Sequence, residues 1–327
     1  MTCTSPVSGY KSRLGGFTTS RPLAYLDQEM QVPCGSCISC RLEQSRQWAV
    51  RCMHEAEMHE DNCFITLTYR DEDLPLDRSV DYDTIRKFFK RLRKRYVPLN
   101  PWSKVKSPER WHDWMVEFGI RKFYCGEYGD ETARPHYHAL LFNHDFKDKK
   151  FWKMSKKGEK LYTSAELESL WPYGFCSVGS VSFQSARYVA SYVTKKVKAK
   201  GEYTCVRFDS SLNRFRKVKP EFGNMSRVPG IGGRWIAKWK DQVYPRDEVI
   251  CDGKSVRPPR YYDEAYREYG RREAGEDDRS LSEPIGAVKG RRAREAAKYE
   301  SEQTAERRAV RDEVVRARLK TYKRNVV

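Results

Sequence analysis

Two histidines separated by one residue, in Arg134-Pro135-His136-Tyr137-His138, precede the apolar run Ala139-Leu140-Leu141-Phe142. Alternate residues of a β-strand project to one face, so an extended backbone here sets two imidazoles side by side. That is half of a metal site. A carboxylate, Glu127, ends a second strand-like run, Phe123-Tyr124-Cys125-Gly126-Glu127. Two imidazoles and one carboxylate leave positions open for substrate oxygens, as a catalytic cation requires. Glu131 and His144 are the substitute ligands should the register differ. Imidazole suits manganese or zinc better than magnesium, whereas a substrate phosphate adds hard oxygens. The expected ion is Mg2+ or Mn2+.

The second group is Tyr188-Val189-Ala190-Ser191-Tyr192. The spacing predicts a helix from about Ser185 to Lys200, ended by Gly201. On it Val189, Val193 and Val197 form an apolar stripe. Tyr188 and Tyr192 lie about 40° apart beside that stripe, and Lys195 about 20° from Tyr188. A phenol with its ordinary pKa near 10 is a poor nucleophile at neutral pH. A neighbouring lysine and a polarised phosphate both lower its barrier. Read alone, the two tyrosines are ordinary packing residues. Beside a paired-histidine strand in a basic chain, they are equipment for cutting and rejoining DNA.

The surrounding pattern supplies the elements that hold these groups. Residues 1–33 are irregular, with Gly15-Gly16 and scattered prolines, and read as loop. An amphipathic helix is predicted from Cys40 to His59, and a strand over 63–69. Residues 83–97 make the clearest helix, capped by Asp81 or Asp83, with Ile85, Phe88, Phe89 and Leu92 inward and a cationic band outward. Residues 98–118 read as loop. Strands over 120–128 and 136–142 would pair antiparallel through a turn-rich link. A short helix near 164–170, a strand over 176–181 and a strand over 203–208 follow. Gly230-Ile231-Gly232-Gly233 is a turn before a short helix, Arg257–Tyr262 a linker, and 289–324 a charged helix.

The formal net charge of +18 over 327 residues favours a polyanionic partner. No apolar run approaches the roughly 20 residues that span a bilayer, and the first residues lack the apolar core of a signal peptide. Nucleic acid is therefore the expected partner and a membrane is not. Three of the ten cysteines crowd into Cys34-Gly35-Ser36-Cys37-Ile38-Ser39-Cys40. That spacing suits a structural Zn2+, with Cys3 the first candidate for a fourth ligand and Cys52 or His54 the substitutes. Buried thiols at a loop-to-helix turn are the plain alternative. Gly253-Lys254-Ser255 lacks the leading glycine of a phosphate-binding loop, since position 248 is Glu. No H-x-E accompanies Cys34-x-x-Cys37, which excludes a zinc deaminase.

Together the strand Phe64–Tyr69, the Arg134–His138 motif and Tyr188-x-x-x-Tyr192 with Lys195 resemble the ordered motifs of HUH endonucleases. The likeness is to the replication initiators of microviruses, the gokushovirus group in particular. It extends to Val32–Cys40 with Trp48 and Arg51, to Pro229–Gly232 with Trp235, and to Pro258–Tyr262. It covers roughly residues 1–265. The resemblance implies an α+β fold, with a central antiparallel sheet, flanking helices and a charged helical C-terminal tail. The expected segments are a Cys-rich N-terminal segment and helix (1–60), a nicking-joining core (61–202), a basic accessory segment (203–262) and a tail (263–327). The implied reaction is attack by one tyrosine on single-stranded or supercoiled origin DNA, leaving a 5′-phosphotyrosine and a 3′-hydroxyl. The second tyrosine then acts in rejoining the strand and releasing single-stranded circles. A host polymerase, a host helicase and the host bacterial cytoplasm are implied as well. The competing readings are a non-catalytic nucleic-acid-binding protein with a zinc cluster, and a transposase of the same superfamily.

Overall fold

A computed structural model describes residues 3–13, 16–97, 101, 106–129, 132–155, 158–194, 205–210, 212–274, 283–299 and 303–324. The chain divides into two compact units, one of 1–44 with 270–327, the other of 45–269.

The first unit begins with β1 (Val7–Ser12), β2 (Phe17–Thr18) and β3 (Ala24–Val32), which form a three-stranded antiparallel sheet in the order β2-β1-β3. This differs from the expected loop. These short strands carry few alternating apolar residues, so the binary pattern that normally signals a strand is missing. Helix α1 (Ile38–Ala56) starts in this unit and continues into the second.

The second unit is built on seven strands. Chain order gives β4 (Asn62–Tyr69), α2 (Tyr82–Tyr96), α3 (Pro108–Phe118), β5 (Arg121–Tyr128), β6 (Pro135–Phe142), β7 (Lys150–Met154) and β8 (Lys160–Thr163). Then come α4 (Ala165–Leu170), β9 (Gly174–Gly179), α5 (Phe183–Thr194), β10 (Cys205–Asp209), β11 (Arg214–Val218) and β12 (Phe222–Met225). Last are α6 (Gly233–Arg246), β13 (Val249–Cys251), β14 (Lys254–Val256) and α7 (Arg260–Ala274), whose end passes into the first unit. Helices α8 (Glu283–Ala297) and α9 (Ala305–Arg324) complete the chain. The main sheet runs β12-β5-β6-β4-β9-β8-β7 with every neighbour antiparallel. The α+β class with a central antiparallel sheet, flanking helices and a helical C-terminal region is thus the observed one.

Period-two alternation decides what each sheet face carries. Cys63, Ile65, Leu67 and Tyr69 of β4, with Tyr137, Ala139 and Leu141 of β6, enter one core together with Ile85, Phe88, Phe89 and Leu92 of α2. Helix α2 is capped by Asp81, whose carboxylate accepts the Thr84 N–H at 2.9 Å. The opposite face carries Phe123, Cys125, Leu140 and Phe142, covered by Ala186, Val189, Ala190 and Tyr192 of α5 and by Ala49 and Cys52 of α1. It follows that Glu127, His136, His138 and Thr66 project toward α5, because each shares parity with those residues.

Three expectations change. Residues 108–118 are helical, not loop; Pro108 at the first helical position presets the backbone angle there. The Gly230 turn leads into a helix of 14 residues, not a short one. Arg257–Tyr262 is no linker, since α7 begins at Arg260 and Tyr262 is fully buried. The guanidinium of Arg51 lies between the rings of Trp48 (3.9 Å) and Tyr261 (3.8 Å) and donates to the Ile231 carbonyl at 2.9 Å. The ring of His54 stacks on Trp235 at 3.6 Å and bonds the Tyr262 hydroxyl at 2.9 Å. Glu55 accepts the Gly232 N–H at 2.7 Å and pairs with Arg121. The scattered motifs around Trp48, Gly230 and Tyr261 therefore form one buried anchor. Among the described residues, no helix is long and apolar enough to cross a membrane.

Candidate active site

The β5–β6 pairing sets Glu127 opposite His136 and Cys125 opposite His138, while β4 sets Thr66 opposite His138 and Thr68 opposite His136. The carboxylate therefore lies one strand from both imidazoles. Glu127, 1% exposed, has Oε1 2.8 Å from Nε2 of His138. The same oxygen accepts the hydroxyl of Tyr188 at 2.6 Å. Tyr192 donates to the Tyr188 oxygen at 3.4 Å, and its ring packs edge-on against that of Tyr188. Thr66 Oγ1 bonds the other nitrogen of His138, Nδ1, at 3.0 Å, and so fixes that ring. Sequence reasoning missed Thr66, although its even-numbered parity on β4 was the available signal.

The expected residues Glu127, His136, His138, Tyr188 and Tyr192 are thus brought to one sheet face. Lys195 and the alternative ligand Glu131 lie outside the described residues, as does the helix beyond Thr194. His144 does not join them. It packs against Tyr96 and Phe146, at the far end of β6 from His136.

The two histidine rings are 6.0 Å apart, nearly perpendicular. Nδ1 of His136 and Oε2 of Glu127 are buried and have no hydrogen-bond partner. An orphaned buried lone pair costs about 1–3 kcal/mol, and two of them beside an imidazole fit a nitrogen-and-oxygen donor set for a divalent cation. Burial, helped by His138, pulls the pKa of His136 down to about 4, so its ring is a neutral donor at physiological pH. Burial alone would raise Glu127, but His138 and the tyrosine hydroxyls outweigh it and keep the group below the ordinary carboxylate range. Burial first, and then the Glu127 charge, holds both phenols above their ordinary range.

In the first unit, Cys3, Cys34, Cys37 and Cys40 have sulfurs all within 4.8 Å of one another, which suits a metal ion. Among the described residues this is the one group of three or more His, Cys, Asp or Glu side chains so gathered. Cys3 is thus the fourth member. The substitutes do other work in the second unit: Cys52 is core and His54 stacks on Trp235. Burial opposes the Cys37 thiolate, but N–H donors, that of Cys40 at 3.4 Å among them, outweigh it and bring its pKa to about 6. Cys34 is lowered likewise, against burial, by the Cys37 N–H at 3.2 Å.

A protein-family model for the replication-associated protein ORF2 matches residues 62–197, the stretch from β4 through α5. The chain is 35% identical over 277 residues to Replication-associated protein VP4 of Bdellovibrio phage phiMH2K, covering 82% of this chain and 78% of that protein. It is 31% identical over 237 residues to Replication-associated protein ORF2 of Spiroplasma virus 4, covering 71% and 66%. It is 29% identical over 249 residues to Replication-associated protein ORF4 of Chlamydia phage 1, covering 72% and 53%. No solved structure matches. The chain belongs to the family of phage replication-associated proteins. The resemblance drawn from its motifs is borne out.

Proposed function

We propose that this protein initiates rolling-circle replication by nicking single-stranded origin DNA, through attack of a tyrosine on the scissile phosphate, and later rejoins the strand. One observation carries the reading: the Tyr188 hydroxyl donates to the same carboxylate oxygen that meets His138. This sets a nucleophile directly against the group of residues suited to a cation.

His136, His138 and Glu127 would hold Mg2+ or Mn2+, which when bound supplies Lewis-acid polarisation of a phosphate oxygen. The chain's own residues do the rest. Both phenols are neutral in the resting site, so the proton must leave as the bond to phosphorus forms. Glu127 Oε1 accepts the Tyr188 hydrogen bond and is the first acceptor for that proton. The new O–P bond replaces the bond to the 3′-oxygen. The products are a 5′-phosphotyrosine and a 3′-hydroxyl that a host polymerase can extend in the bacterial cytoplasm, with a host helicase opening the duplex. The phosphotyrosine conserves the bond energy, so rejoining is the reverse attack by a 3′-hydroxyl. Tyr188 is the better placed for the first cut, being only partly buried, whereas Tyr192 is 9% exposed. Tyr192, one turn on, would make the second cut. Lys195 is proposed to assist.

The cysteine quartet would hold a structural Zn2+ in a closed four-thiolate site. The two thiols already biased toward thiolate, Cys34 and Cys37, favour this over inert buried thiols. The decisive test of the enzyme is incubation with single-stranded origin DNA and manganese, followed by denaturing electrophoresis. A covalent protein–DNA adduct is expected. Binding without any adduct would instead support a non-catalytic DNA-binding protein.

A further inference from the structure

On the open sheet face the register aligns Glu127 with His136, His136 with Thr68, and Thr68 with Phe175. One row across four strands begins at the carboxylate and ends at a phenylalanine. Phe175 is 72% exposed, while its strand neighbours Cys176 and Val178 point the other way and are buried. The residue between His136 and Phe175 is the short Thr68. Strands are spaced about 4.8 Å apart, so Phe175 stands about 10 Å from His136 along the row. That is within reach of a nucleotide adjoining a phosphate held at His136.

The position is built. Gly174 has φ +154°, and a Cβ there would come within 2.3 Å of the Thr68 carbonyl oxygen. Glycine lets β9 lie close against β4 and fixes where Phe175 emerges. A cleft of about 550 Å³ opens beside it, lined by Thr68, Arg70, Asp71, Glu72 and Arg134 as well as Phe175. Arg134 is tied to the Tyr69 carbonyl and to Asp71, each at 2.6 Å. The cleft therefore carries both signs of charge around one free aromatic face. Such a lining suits the uncharged plane of a base better than a phosphate.

We propose that Phe175 is a stacking platform for a nucleobase of single-stranded DNA adjoining the scissile phosphate. The inference rests on the nicking reading of the neighbouring site and adds to it a residue that seats the substrate. Aromatic stacking is tolerant of sequence, so a fluorescein-labelled single-stranded oligothymidylate is an adequate probe. Binding is followed by anisotropy over a range of salt concentrations with the full chain. Phe175→Ala is expected to weaken binding roughly 5- to 150-fold. Phe175→Leu, which keeps apolar bulk without a π-face, should weaken it comparably, and Phe175→Trp should stay within about threefold of the wild type. The dependence of log affinity on log salt should be unchanged in all three, because no phosphate contact is removed. Wild-type affinity in Phe175→Ala, or an equal loss in Phe175→Trp, overturns the proposal. Adduct formation by the wild type is scored separately, so loss of the nicking reading and loss of the stacking platform are distinct results.

Discussion

At the scale of single residues, the site depends on hydrogen bonds that settle which atom faces which. Thr66 holds Nδ1 of His138, leaving Nε2 directed at Glu127. Partners behind a metal-binding histidine are typically worth about 10- to 100-fold in metal affinity or activity. Thr66→Val should therefore lower adduct formation by that order and raise the manganese concentration needed for half-maximal rate. An unchanged manganese requirement would remove Thr66 from this role. His136→Ala and His138→Ala should each abolish cleavage yet leave DNA binding largely intact, because lysine and arginine contacts to phosphate supply most affinity. Full nicking by the double variant in EDTA would refute the cation site. Tyr188→Phe should lose more single-turnover nicking than Tyr192→Phe, since Tyr188 is the phenol on Glu127. Neither variant should complete circle release, and the double variant should form no adduct. A single variant that nicks and releases circles normally would show that its tyrosine only packs.

At the scale of elements, two local constructions can be tested. The cysteine loop before α1 should carry near one equivalent of zinc that survives dialysis, and Cys3→Ser should lower that content. Metal-free protein with an intact fold would make the quartet plain buried thiols. The second construction is the anchor between α1 and the turn before α6. Gly232 has φ +74°, and a Cβ there would meet the Tyr262 hydroxyl at 2.5 Å and the Arg51 carbonyl at 3.1 Å. Gly232→Ala adds backbone strain to a close approach, and should cost about 1–3 kcal/mol in urea unfolding. A cost within experimental error would show that the anchor yields without penalty.

At the scale of the whole molecule, buried histidines make stability sensitive to acid. Burial pulls the pKa of His54 and of His144 from 6.5 to about 4. Between those values the unfolded chain binds protons that the folded chain excludes. Their contribution is thus complete above pH 6.5 and is lost as the pH falls toward 4. The slope is about 1.4 kcal/mol per pH unit for each histidine. Urea midpoints measured in EDTA should fall steadily from pH 6.5 to 4.5. A flat profile across that range would mean that these rings are protonated without cost.

The sequence by itself determined the chemistry-bearing strands and helices, because their signals are local. The period of two in β4 and β6, the apolar stripe of α2 and the i, i+4 tyrosines of α5 are each written within a dozen residues. From strand parity alone His136 and His138 had to share a face. The family motifs and the net charge were legible for the same reason. Tertiary structure decided what depends on partners distant in the chain. It set Glu127 opposite His136 through the β5–β6 register, brought Thr66 behind His138, and chose Cys3 as the fourth sulfur. It turned Arg257–Tyr262 from a linker into a buried wall, because Tyr261 and Tyr262 find Arg51 and His54 some 200 residues earlier in the chain. It also formed a sheet from residues 7–32, where pairing between strands supplies the stability that the apolar pattern lacks. Phe175 shows the same division. Its type is plain in the sequence, but its place in a row with His136 exists only when β6, β4 and β9 pair in register.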